Sequence, residues 1–184
     1  MKTATFMRFF APLALLGLLS GCGTLSKNEC LSADWEDIGV RDGANGRPEE
    51  YLIHHASACS KVGVAPDRVR WQAGRERGLD RFCIPERAYR IGENGGSFDV
   101  ATCQRYDEQR LFSAYQKGRE VNRWAGRLSS IDSEIKSIHT KLDEDKELKR
   151  KEREQLAYRL GQLTYERVDA ERAYEDARYR AQDL

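Results

Sequence analysis

Beyond residue 105 the apolar side chains return every seven residues, which commits that part of the chain to long helices that must share a seam. Val121, Trp124, Leu128, Ile131, Ile135, Ile138 and Leu142 follow one another in alternating steps of three and four. Leu156, Leu160, Leu163, Arg167, Ala170, Tyr174, Ala177 and Ala181 form a second seam, out of phase with the first. The charged stretch Asp143-Glu144-Asp145-Lys146-Glu147-Leu148 separates them. It contains neither glycine nor proline, so one continuous helix is the alternative to a hairpin. The hairpin is expected because a fold-back at 145–146 pairs the seams. Leu128 then meets Leu163, Ile131 meets Leu160, Ile135 meets Leu156 and Val121 meets Ala170, residue numbers that all add to 291. The same register sets Trp124 against Arg167, a cation–π partner for an arginine on an apolar seam.

The face of the second helix opposite its seam has a rhythm of its own. Tyr158, Tyr165, Arg172 and Tyr179 recur every seven residues, where the first helix has Gly126, Ser133 and Thr140. Such a stripe either packs on the rest of the protein, stands in solvent, or binds a partner, since tyrosine and arginine are favoured at interface centres.

Residues 32–104 read differently. They are rich in glycine, poor in large aliphatic residues, and carry a loose repeat of an aromatic followed by glycine: Trp35…Gly39, Trp71…Gly74, Tyr89…Gly92 and, just beyond, Tyr115…Gly118. Gly39/Gly43 and Gly74/Gly78 are each four apart and share a helical face. Glycine costs a helix about 1 kcal/mol, so these positions are expected where helix backbones cross closely over aromatic plugs, rather than in a ligand loop. They do not form a phosphate-binding loop, for no strand precedes them and no Gly-Lys-Ser/Thr follows. Helices are expected near 34–43, 49–62, 67–80 and 85–92, with Pro48 and Pro66 in first turns and Gly63 and Gly95-Gly96 as stops. An irregular link leads to Cys103. The expected fold is all-α: a small disulfide-stapled helical head over 32–104, then an antiparallel hairpin over 105–184 turning near 143–148.

The amino-terminal residues predict an export signal over 1–21. Lys2 and Arg8 precede the apolar run from Phe9 to Leu19. That run is too short for ~30 Å of hydrocarbon and suits a secretory leader. It ends in Leu19-Ser20-Gly21-Cys22, which resembles the bacterial lipobox. The resemblance implies lipidation of Cys22 by acyl chains such as palmitate, removal of the leader, and a short tether over 22–31. Gly23 in place of an aspartate points to the outer membrane rather than the inner one. Stable anchoring takes more than one acyl chain. With Cys22 assigned to lipid, Cys30, Cys59, Cys83 and Cys103 remain for two disulfides in an oxidising compartment. Three connectivities exist, and Cys30–Cys59 with Cys83–Cys103 is preferred because it closes local loops. Zinc is the rival use, given His54 and His55 beside Cys59, but the C-x-x-C spacing of structural zinc sites is missing. No metal or cofactor is expected.

Removing Lys2 and Arg8 from 31 basic residues leaves 29 against 30 acidic ones. A balanced chain of this kind argues against nucleic acid, which calls for a basic face. His54, His55 and His139 are the only histidines. His139 lies beside a seam, and a packed pair explains the other two better than a catalytic base, so no enzyme is expected.

One ordered set of residues carries a family likeness: Trp35…Gly39…Gly43, His54/His55…Cys59, Pro66-Asp67, Trp71-x-x-Gly74-x-x-x-Gly78-Leu79…Cys83, Tyr89-x-x-Gly92-x-x-Gly95 and Cys103. The set resembles the DUF2799 group of bacterial envelope lipoproteins, whose function is undefined. The resemblance implies the address and the cysteine framework and supplies no catalytic residues. The function expected is therefore a lipid-anchored envelope protein with a structural or interaction role, facing the periplasm. Its partner would be another envelope protein or a second copy of itself. The alternative is a small binding module whose Trp35, Trp71 and Tyr89 present an aromatic platform to a glycan or peptidoglycan fragment.

Overall fold

The computed structural model describes residues 24–184. The expectations for the leader over 1–21, for lipidation at Cys22 and for Gly23 lie outside the described residues. Within them the chain is all-helical: α1 (Lys27–Leu31), α2 (Trp35–Ala44), α3 (Leu52–Ser60) entered through a 3-10 turn (Glu49–Tyr51), α4 (Arg68–Phe82), α5 (Pro85–Glu93), a second 3-10 turn (Val100–Cys103), α6 (Glu108–Glu144) and α7 (Arg150–Arg180).

Local signals start and stop these elements. Asp34 Oδ1 accepts from the amides of Glu36 and Asp37, Asp67 Oδ1 from Arg70 and Asp107 Oδ1 from Arg110, each satisfying an orphan donor of a first turn. Pro85 occupies the first turn of α5. Pro48 and Pro66 do not sit inside first turns as expected: Pro48 is the cap of the 3-10 turn, and Pro66 precedes the cap Asp67. Gly63 and Gly95 follow α3 and α5 with φ of 73° and 74°, a region that suits glycine.

α2 crosses α4 where the four glycines meet. A Cβ at Gly39 would fall on the Trp71 carbonyl, at Gly43 on that of Arg75, at Gly74 on that of Glu36, and at Gly78 on that of Val40. The contacts are reciprocal, so no methyl group fits on either side. α5 and α6 repeat the device, Gly92 against the Tyr115 carbonyl and Gly118 against that of Tyr89. The aromatic–glycine repeat thus marks two close helix crossings, and the aromatic of each unit lies one turn from its glycine.

A disulfide closes each crossing unit. Cys30–Cys59 joins α1 to α3 over a core of Leu25, Trp35, Ile38, Leu52 and Trp71. Cys83–Cys103 joins the end of α4 to the second 3-10 turn over Leu79, Phe82, Ala88, Phe98, Leu111 and Ala114. Two expected boundaries are corrected by this packing. The tether drawn over 22–31 is in part folded, since Leu25 and Cys30 are buried and Ser26 with Glu29 forms a capping box that starts α1. Nor does the head end at 104, because the first turns of α6 build the second core.

α6 and α7 run antiparallel. Arg153 donates to the carbonyls of Leu142 and Asp145 beside the turn, Arg159 pairs with Glu134 at mid-length, and Arg180 pairs with Glu120 at the far end. Ile131, Ile138, Leu163 and Ala170 form the buried seam, flanked by Trp124, Leu128, Ile135, Leu142, Leu156 and Leu160. Past it the seam of α7 narrows to Ala170, Ala177 and Ala181, all buried, and Leu184 reaches the second head core. The register differs from the expected one. The turn lies between Glu144 and Arg150, so its centre is later than 145–146. Arg167 consequently binds Asp132 at 2.9 Å instead of covering Trp124, whose ring is met by Arg123 at 5.6 Å.

Candidate functional sites

Among the described residues, a buried polar relay in the first core and the outer face of α7 stand out as candidate sites. The relay begins at Asp42, which the helical period places on the inner face of α2, seven residues from Trp35. Its Oδ2 accepts from Trp71 Nε1 at 2.8 Å and from His55 Nε2 at 2.8 Å. A neutral His55 whose Nε2 donates to that carboxylate leaves Nδ1 as an acceptor, and Nδ1 stands 2.7 Å from Thr24 Oγ1. Tyr51 presents its ring to His55 edge-on, with centroids 5.2 Å apart.

Hydroxyl, imidazole and carboxylate in that order form the chain that activates a nucleophile in hydrolases. Here the imidazole is 3% exposed and enclosed by Trp35, Tyr51 and Trp71, so a substrate has no approach to it. The relay gives Asp42 Oδ2 two donors, engages both nitrogens of His55 and ties Thr24 to α2, α3 and α4. His54, its neighbour, is exposed beside Tyr51, and His139 is exposed on α6. Cys59 is consumed by its disulfide, and among the described residues no group of three or more His, Cys, Asp or Glu side chains is placed to hold a metal.

The expected aromatic platform is contradicted. Trp35 and Trp71 are 6% and 2% exposed, and the Tyr89 hydroxyl donates to Glu93 Oε1 at 2.9 Å. Burial, then that hydrogen bond, pushes the Tyr89 phenol up to about 12. Two buried tryptophans and a half-buried tyrosine tied to Glu93 do not make an exposed platform for a sugar.

α7 is the reverse case. Tyr158, Tyr165 and Tyr179 are 70%, 78% and 74% exposed. Arg172 lies among them, exposed, its only ionic partner being Asp169 at 3.9 Å among the described residues. The stripe therefore does not pack on the head, which removes one of the three explanations open to it. It is displayed on a stiff support: Arg159 grips both oxygens of Glu134 at 2.8 and 3.1 Å and reaches Glu166 at 2.7 Å, and Glu166 takes Arg127 at 2.5 Å. Those hydrogen bonds hold the Glu134 carboxyl below the usual carboxylate range and raise the Arg159 guanidinium above its own.

The buried charges Asp42 and Arg75 were not foreseen, though a signal existed for both. Each occupies a helical face otherwise made of aromatic residues and glycine, Asp42 between Gly39 and Gly43, and Arg75 between Trp71 and Gly78.

The model of the family described as "Protein of unknown function (DUF2799)" matches residues 34–120. Residues 34–120 are a DUF2799 domain. That span runs from the cap of α2 to just beyond Gly118, so the DUF2799 domain is the pair of glycine crossings, and most of the hairpin lies outside it. Comparison with curated proteins and with solved structures found no match. Among the described residues no helix is long and apolar enough to cross a membrane.

Proposed function

We propose that the protein is a lipid-anchored component of the bacterial envelope that works by docking another envelope component, without catalysis, through the outer face of α7. The observation that carries this reading is the stripe of Tyr158, Tyr165 and Tyr179 around Arg172, exposed on a helix whose other side is fully engaged. Three large amphipathic rings kept in water along a rigid helix offer contact area at little entropic cost, the usual makings of an interface centre. The anchor rests on Cys22 and the leader before it, with Gly23 favouring the outer membrane. The partner is a second envelope protein, with self-association as the other outcome to be distinguished. A photo-crosslinker at position 165 in intact cells tests the docking. A discrete protein adduct supports it, the mass of the adduct separates a homodimer from a foreign partner, and capture of lipid or of the protein's own head alone would sink it. Replacement Cys22→Ser should release the chain from the membrane fraction if the anchor is as proposed.

A further inference from the structure

The DUF2799 domain also contains a groove that neither the relay nor the α7 stripe uses. It measures about 470 Å³ and lies between the 3-10 turn at Glu49, the middle of α4 and the second 3-10 turn. Arg75 lines it, yet is only 5% exposed. Its Nε donates to the Arg47 carbonyl at 2.7 Å, and its guanidinium carbon stands 6.0 Å from the Trp71 ring centroid. These contacts fix the guanidinium plane from the inside. Its outer edge is another matter. Among the described residues neither Nη nitrogen has a hydrogen-bond partner, and the one carboxylate within 4.0 Å is Glu49, at 3.8 Å and itself 57% exposed. No side-chain nitrogen or oxygen among the described residues is buried without a partner, so this outer edge keeps contact with solvent in the groove, and a guanidinium held in one plane presents two parallel N–H groups spaced for a carboxylate.

The rest of the lining narrows the ligand. Arg105 is tied to Glu76 at 2.6 Å, so neither is free. Glu49 faces Arg75 at 3.8 Å, Glu50 and Asp99 add negative charge with no ion pair among the described residues, and Leu79 and Ala101 supply a small apolar wall. With four acidic and two basic side chains, the groove repels a dianion such as phosphate. A ligand carrying both signs fits it: carboxylate on Arg75, ammonium toward the acidic rim, a short side chain on the apolar wall.

We infer that this groove binds a small zwitterion, an amino acid or a short peptide with free amino and carboxyl groups, through bidentate capture of the carboxylate by Arg75. The test is a titration of the full mature chain in detergent, labelled at arginine side-chain nitrogens for NMR, with the dipeptide alanyl-alanine. The Arg75 side-chain resonances should shift saturably at millimolar dipeptide. Amidating the dipeptide's carboxyl group should weaken binding by at least about tenfold, the loss of a charge-assisted pair. Arg75→Lys should abolish binding. Because that variant alters a buried side chain, the surface pair Glu49→Gln/Glu50→Gln is the second arm. It should weaken the dipeptide and leave the N-acetylated dipeptide unchanged. An unmoved Arg75 signal, equal binding of the amidated peptide, or phosphate binding as well as the dipeptide would each overturn the inference.

Discussion

Replacing Gly74 by alanine adds one methyl group to a helix interior, where alanine is ordinarily the better residue by about 1 kcal/mol. At this crossing the gain is overwhelmed. The new Cβ falls on the Glu36 carbonyl and sits 3.0 Å from the Val40 amide, both backbone atoms of α2 that no rotamer change can move aside. Overpacking costs ~1–3 kcal/mol, and an obstacle made of backbone belongs at the upper end. The net expectation is a loss of about 2 kcal/mol, and Gly43→Ala should behave alike. Gly126 and Gly161 supply the control, because a Cβ at either meets nothing within 4 Å. Alanine there should stabilise by ~0.5–1 kcal/mol. Urea unfolding of the oxidised chain, followed by circular dichroism, reads the difference. With a slope of ~1–3 kcal/mol per molar urea, Gly74→Ala should lower the midpoint by roughly 1 M and Gly161→Ala should raise it slightly. If the two substitutions shift the midpoint in the same direction by similar amounts, the close-crossing argument is wrong.

Removing the Cys30–Cys59 disulfide frees a loop with a sequence separation of 29, and removing Cys83–Cys103 frees one of 20. Each should cost about 3 to 4 kcal/mol in urea unfolding, the longer loop slightly more. Asp42→Ala strands the His55 and Trp71 donors in the first core and should cost ~2–5 kcal/mol, whereas Asp42→Asn, which keeps an acceptor, should cost clearly less. Burial and then the Asp80 hydrogen bond push the Tyr106 phenol from 10.0 up to about 12. A raised folded value means its contribution is complete below pH 10 and fades as pH climbs from 10 toward 12. Tyr106→Phe should remove that part of the alkaline destabilisation, and stability–pH profiles of the two proteins that stay parallel through this window would contradict the assignment.

Much of this architecture was legible because it is periodic. A seven-residue seam and glycines four apart state which face of a helix is covered and how closely, and both features survive in the structure. The turn register was less accessible. Both seams repeat every heptad, so their pairing depends on where the helix ends, and Asp145 leaves the helix in an extended conformation that moves the turn toward Lys149. The shift carries Arg167 away from Trp124 to Asp132. α1 escaped notice because five residues show no period, although Ser26 and Glu29 spelled its capping box. Asp42 and Arg75 were passed over for a different reason. Period places a charge on an inner face, but only the neighbouring helices decide whether it finds a partner, as Asp42 does, or faces a groove, as Arg75 does. The tyrosine stripe was visible from spacing, and its exposure required the packing of α7.

The docking face is tested most directly by comparing the two sides of the hairpin. Photo-crosslinkers placed in intact cells at 158, 165 and 179 on α7, and at 126, 133 and 140 on α6, should divide cleanly. One common protein adduct is expected from the α7 positions, lost with Arg172→Glu, and none from the α6 positions. Equal capture from both faces, or adducts confined to lipid and the protein's own head, would contradict it.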